Sequence, residues 1–227
     1  MNLNFFKKIG LIVWKDIIVE FRTKDLFSAM FLFSLLVVVI FNFAFAPGTE
    51  NVSQLAPGIL WVAFTFAGVL GLNRSFVFEK DSGSLQGLML SPVDRGVIYL
   101  GKMIGNIIFI FLVELVSLPL FAVFFNLSLF HLIPRLALVL LVSTVGFASA
   151  GTLLAAISVN TKAREVLLPI LLFPIIIPVI IGAVKSTGNI LEGKPLVETL
   201  SWLKLLTAFD IIFIIVSFLV FEYVVEE

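Results

Sequence analysis

The stretch LFSAMFLFSLLVVVIFNFAF, Leu26–Phe45, runs for twenty residues without an Asp, Glu, Lys, Arg or His. At 1.5 Å per helical residue it is about 30 Å long, the thickness of a bilayer's hydrocarbon core. Five further apolar runs follow: Leu55–Leu72, Met103–Phe125, Leu136–Val159, Val166–Val184 and Ala208–Val225. In lipid a backbone N–H or C=O must find its partner within its own segment, so each run is expected to be a helix. The residue-by-residue alternation of a transmembrane barrel is absent. Composition agrees, because the chain is 60% hydrophobic with 25 Phe and only 13% charged residues. A soluble domain would have to leave much of that surface in water. The expectation is an all-α membrane protein of six spans, with residues 1–227 forming one domain.

Orientation follows from Lys and Arg, which concentrate on the cytoplasmic side. The N-terminal segment carries Lys7, Lys8, Lys15, Arg22 and Lys24; the second connection adds Arg74, Lys80, Arg95 and Lys102; the fourth adds Lys162 and Arg164. Those eleven stand against four on the other side: Arg135, Lys185, Lys194 and Lys204. Both termini and the second connection are therefore expected in the cytoplasm. Ala44-Phe45-Ala46 has the look of a signal cleavage site, but the apolar run before it exceeds a signal peptide's, so a retained span is expected. The chain has no Cys and a net charge of zero. That excludes disulfides, thiolate metal sites and covalent haem attachment, and nucleic acid is not an expected partner.

Residues 3–25 read as an amphipathic helix in the cytoplasmic interface. Lys8, Lys15 and Arg22 recur every seven residues, with Phe6, Ile9, Val13 and Ile17 roughly opposite and Trp14 at headgroup depth. Residues 74–102 form a polar island between spans two and three. Within it Asp81 or Ser82 is placed to cap a short helix that sets Leu85, Leu88 and Met89 on one face. Ser91, preceding Pro92, is biased out of the α region and ends that helix near Leu90, and Asp94 can cap the next. The island is either a connector or a docking surface whose small apolar ridge enters a groove on a soluble partner. Gly96–Lys102 matches G-x-x-x-x-G-K, but Met103 replaces the Ser/Thr and the stretch leads into a span. It is not read as a nucleotide site.

The string Glu79-x-Asp81-x-Gly83-Ser84-Leu85-x-x-Leu88-Met89-Leu90-x-Pro92, followed by Gly101-Lys102, resembles the coupling loop of type-2 ABC exporter permeases. Added to it are LAPGILWVA (Leu55–Ala63), GFASAGTLLAAISVNTKAREVLL between spans four and five, and LLFPIIIPVIIGA with Pro174 and Pro178. Together, at this length, they resemble the CcmB family, haem-exporter permeases of cytochrome c maturation. The resemblance implies a permease domain over residues 1–227 in the bacterial inner membrane, in two copies or as a pseudo-dimer. It implies partners: a CcmA-like ATP-hydrolysing subunit that binds ATP-Mg, a CcmC-like haem-handling protein, a CcmD-like small protein and a CcmE-like haem chaperone. Haem is the implied cargo, with no cofactor assigned to this chain and no enzymatic activity of its own. Glu79, Asp81, Gly83, Ser84, Leu85, Leu88, Met89 and Pro92 are the implied ATPase-coupling residues. Gln86-Gly87 stand where relatives often have Glu-Gln, and Asn106-Ile107 where some have His-Trp.

Polar residues inside the spans carry their own readings. Glu114, mid-span, costs at least about 2.5 kcal/mol if ionised there and must pair, face a wet cavity or stay protonated. It is either a functional acid or packing glue. Asp210 is placed in the first turn of span six, where a negative group suits a helix N-terminus. His131, the only histidine, sits in an outer loop and reads as solvated rather than as a haem ligand. Pro169, Pro174 and Pro178 remove ladder hydrogen bonds from span five, giving a static kink or a hinge. The small residues Gly146, Ala148, Ser149, Ala150, Gly151, Ala155 and Ala156 suit close packing, against the bundle or a second copy. The alternatives to haem handling are a type-2 exporter for another hydrophobic substrate and an ion-coupled carrier using Glu114 as its proton site. An intramembrane hydrolase lacks a Ser/His or Asp pair.

Overall fold

A computed structural model describes residues 4–45, 52–127 and 130–225, and among them the only regular structure is helical. Helix α1 (Phe5–Thr23) precedes α2 (Asp25–Ala44), α3 (Val52–Asp81), the short α4 (Ser84–Leu90) and α5 (Arg95–Phe124). A 3-10 turn (Phe130–Leu132) leads into α6 (Ile133–Ser158), α7 (Arg164–Leu191) and α8 (Leu196–Val225). Six of these, α2, α3, α5, α6, α7 and α8, are long and apolar enough to cross a membrane. The first connection beyond Phe45 and the tail residues Glu226 and Glu227 lie outside the described residues, as does position 3 of the expected N-terminal helix.

The helices overrun the apolar runs, in α7 because the polar residues that follow are buried and in α3 and α8 mainly by continuing with exposed polar residues. Hydropathy counts a polar residue as an exit from lipid, whereas a helix can continue if that residue faces protein. Thus α7 extends past Val184 through Ser186, Thr187 and Asn189, all buried. Helix α8 starts twelve residues before Ala208; Thr199 is buried in its first turns, while Glu198, Ser201, Lys204 and Thr207 are exposed. The fifth connection shrinks to 192–195, turning at Gly193 with φ +68°. Asp210 is consequently at the middle of α8, not in its first turn, so the helix-terminus explanation for it is withdrawn.

Helices α3 and α6 form the centre: α6 packs on α5, α7 and α8, and α3 on α2, α5 and α7. The seven small residues of α6 are all buried in the chain's own bundle. A Cβ at Gly151 would collide with Leu72 of α3, and one at Gly146 with Asp210 of α8. Pro169, Pro174 and Pro178 all lie inside the single helix α7, with Pro174 and Pro178 on its exposed side.

Apolar packing divides into two blocks. One gathers Met30, Leu72, Phe76, Ile110, Val113, Phe147 and Leu172. The other gathers Val38, Phe64, Leu118, Phe121, Leu140 and Ala183. Along α2, α5 and α6 the polar residues Ser34, Glu114, Ser117, Ser143 and Thr144 fall between the two. Four of these five are paired: Ser34 and Ser117 hydroxyls are 2.8 Å apart, and Thr144 donates to Glu114 Oε2 at 2.7 Å, while the Ser143 hydroxyl has no partner.

Candidate functional site

The polar island is mostly helix. Helix α3 runs on to Asp81 and α5 begins at Arg95, so only Ser82–Gly83 and 91–94 are non-helical around α4. Neither Asp81 nor Ser82 caps α4; its N-cap is Gly83, at φ +70°, a left-handed position that Gly adopts without strain. The two expected caps are occupied elsewhere. Asp81 is held by Arg164, and the hydroxyls of Ser82 and Ser84 both donate to the Glu79 carbonyl, closing the end of α3. Asp94 occupies the N-cap position of α5 without a side-chain cap bond.

The island is tied to two distant parts of the chain. Arg164, at the start of α7, donates from both Nη atoms to the Asp81 carboxylate, at 3.0 and 3.2 Å. Lys80 Nζ donates to the Val159 carbonyl at 2.8 Å and to Asn160 Oδ1 at 3.0 Å, at the end of α6. The island and the α6–α7 connection, two stretches 80 residues apart, thus form one platform. Lys8 Nζ reaches the Pro92 carbonyl, and Arg95 donates to the Met89 carbonyl.

The faces of α4 differ from the sequence expectation. Leu88 is partly buried against the protein's own core, and Met89 is half-buried. Leu90 is the outward apolar side chain, 87% exposed, beside exposed Gln86 and Gly87. The Leu85 side chain lies outside the described residues. An i, i+3, i+4 pattern finds an apolar face but not which way it points, and α4 uses that face to seat itself.

Glu79 is turned inward, away from the exposed face of α4. It is buried, with Oε1 paired to Lys15 Nζ and 2.6 Å from Lys102 Nζ. Lys102, the lysine of the false phosphate motif, is 1% exposed and also 2.9 Å from Asp16 Oδ2. Lys15 Nζ is 3.2 Å from Asp16 Oδ1. Burial alone would lower the Lys15 ammonium, but Glu79 and Asp16 outweigh it and hold it above 10.5. Helix α1 therefore does not lie with Lys15 facing headgroups; it packs along α5 through buried Ile9 and Ile12, with Phe6 and Trp14 outward. A cleft of about 540 Å³ opens beside this cluster, lined by Glu20, Arg74, Phe78 and Ser84 among others.

Away from the platform, Glu114 faces protein in a tight box whose apolar walls, Trp61, Phe64, Ile110 and Phe147, are joined by the hydroxyl residues Thr65, Ser143 and Thr144. Asp210 is also buried, with Oδ1 lacking a partner. Asn106 is buried and donates to Thr152 Oγ1 at 3.0 Å, a packing bond between α5 and α6. His131 is exposed in the 3-10 turn.

The sequence matches the family described as CcmB protein over residues 7–226. It is 31% identical to Heme exporter protein B of Pseudomonas aeruginosa over 199 residues, covering 88% of this chain and 89% of that one. The protein of the same name from Rhodobacter capsulatus is 29% identical over 194 residues, 86% and 88% of the two chains. The one from Escherichia coli K12 matches over 74 residues at 34%, about a third of each chain. With six membrane-compatible helices and a match along nearly its whole length, the chain belongs to the CcmB family.

Proposed function

We propose that this chain is the membrane permease subunit of an ATP-driven haem exporter of cytochrome c maturation, with its own role confined to coupling and conduction. The relatives' shared name supports haem, or a haem-loaded carrier, as cargo. The chain's only phosphate-loop look-alike has its lysine buried in ion pairs with Glu79 and Asp16, so ATP-Mg belongs to a CcmA-like partner. CcmC-like, CcmD-like and CcmE-like proteins complete the assembly, with two copies of this chain, in the inner membrane. The N-terminus and α4 face the cytoplasm.

The observation that carries this reading is the platform itself, a short helix slung between two spans and braced by Asp81–Arg164 and Lys80–Asn160. A free connector needs no such bracing. On it the ATPase subunit meets Gly87 and Leu90. A Cβ at Gly87 would touch nothing within 4 Å, so no contact inside this chain requires glycine there. Glycine inside a helix costs about 1 kcal/mol relative to alanine, and close approach of a partner's backbone gives that cost a purpose. Leu90 then enters an apolar groove, contributing about 1.5–3 kcal/mol before ordering costs.

Co-purification of the ATPase subunit with tagged variants tests the contact. Leu90→Asp and Gly87→Leu should each release the ATPase while the chain still inserts. Leu88→Asp should instead destabilise the island, because Leu88 packs on the chain's own core. Retention of the ATPase and normal haem delivery by both Leu90→Asp and Gly87→Leu would reduce the platform to a connector.

A further inference from the structure

Three helices far apart in sequence converge on one buried ammonium. Lys102 of α5 meets Glu79, near the end of α3, and Asp16 of α1. Its Nζ also lies 5.9 Å from the centre of the Phe76 ring. Lys15 bridges the same two acids from the outer side, so two ammoniums balance two carboxylates. The backbone is shaped to permit this. A Cβ on Gly101 would run into Ile12, and one on Gly105 would sit 3.4 Å from Asp16 Oδ2. These two glycines, one helical turn apart, form the shallow groove in α5 where α1 lies.

A desolvated ion cluster is a poor way to gain stability, since apolar side chains of similar size often serve as well or better. What buried charges supply in favourable cases is a single geometry, because any shift leaves a charge unpaired. Helix α1 is also joined to α2. Lys24, at φ +56°, makes the turn between them, and the Glu20 carboxylate accepts from the N–H groups of Leu26 and Phe27 at the start of α2. Displacing α1 therefore displaces the entry to the first span.

We infer that α1 is a transmission element of the coupling platform, with Asp16, Glu79 and Lys102 as positioning residues that clamp it to both ends of the island. Force applied at α4 reaches α1, and through it α2, because α1 moves as one body with α3 and α5. This rests on the coupling reading above, but its primary test does not require the ATPase. Cys substitutions at exposed Leu11 and Asp94, both off α4, carry spin labels in this Cys-free chain, and their separation is measured first in the reconstituted chain alone and then in the full complex. The parent should give one narrow distance distribution, unchanged in width by ATP. Lys102→Met should broaden it, while the ATPase still co-purifies through the untouched α4 and ATP-dependent haem delivery falls by about tenfold.

The double variant Lys102→Met/Glu79→Gln separates positioning from charge balance. Its net charge is restored, so a cluster that merely cancels charge should regain full delivery, whereas a positioning cluster should stay uncoupled at normal protein level. If Lys102→Met fails to accumulate, Asp16→Asn loosens the same clamp from the α1 side. An unbroadened distribution in these variants, or full delivery by the double variant, overturns the inference. Failure of the parent complex to retain any ATPase, with the broadening still seen, would instead fell the coupling reading and leave the clamp standing.

Discussion

Replacing Thr144 by Val keeps the shape of the side chain and removes the hydroxyl that donates to Glu114 at 2.7 Å. Two scales compete for the size of the effect. A hydrogen bond to a carboxylate in a protein interior is worth about 1.5–3 kcal/mol. Between membrane helices the measured average is nearer 0.6 kcal/mol, because the unfolded chain in lipid also finds partners. The geometry of the box decides between them. Glu114 is 3% exposed, and the adjoining void of about 10 Å³ has room for one water at most, but its wall also carries the hydroxyls of Thr65 and Ser143, the latter without a partner. With a substitute donor at hand, the cost should fall near the membrane average, about 0.6 kcal/mol or roughly threefold in the unfolding equilibrium. Denaturing-detergent titration of the purified chain in bicelles measures it, using the cycle Thr144→Val, Glu114→Leu and both together. A coupling energy below about 0.3 kcal/mol would show that Thr144 does not hold Glu114 and that the reasoning from its box is wrong.

Glu114→Gln keeps an acceptor for Thr144 and removes the ionisable proton. If the acid titrates during transport, the complex should assemble normally but lose haem delivery; normal delivery would remove Glu114 from any mechanism. Gly151→Ala should destabilise the α3–α6 contact by about 1–3 kcal/mol in the same titration, since its Cβ meets Leu72, which is fully buried and cannot swing aside. Single Cys replacements labelled with an impermeant reagent in intact cells should mark positions 50 and 131 as outside and 84, 162 and 226 as inside. Lys194 serves as a further outer probe, because the nearby Ile190 is buried within α7; labelling of position 84 from outside would overturn the orientation.

The spans are legible because lipid asks one question of a segment, whether it is apolar for about 20 residues, and each of the six answers it locally. Helix ends are not, since Ser186, Thr187 and Asn189 look like an exit until the neighbours that bury them are known. The island is recognisable, and its helix stops at Leu90 as Ser91-Pro92 implies. Its start is hidden because Asp81 is engaged by Arg164, 83 residues away. Lys102 illustrates the limit most clearly. Local spacing offers it to a phosphate, yet its partners Asp16 and Glu79 lie 86 and 23 positions back, and only folding brings them within 3 Å. Asp210 looks terminal by the same arithmetic that shortens α8, because Glu198, Ser201, Lys204 and Thr207 read as loop although they lie on the exposed side of one continuous helix.

The length of α3 has a mechanical consequence. Thirty residues make a rod about 45 Å long, some 15 Å more than the hydrocarbon slab it crosses. Its one proline, Pro57, lies near the start, and none interrupts it from Gly58 to Asp81, so the projecting end would act as a crank. If the rod pivots near mid-membrane, its tip lies roughly 30 Å from the fulcrum, and a push of about 2 Å there corresponds to a tilt of only some 4°. The far end, on the shorter arm, would swing the opposite way by about half as much. A small stroke on one side of the membrane would thereby reach the other reversed in sign and reduced in size.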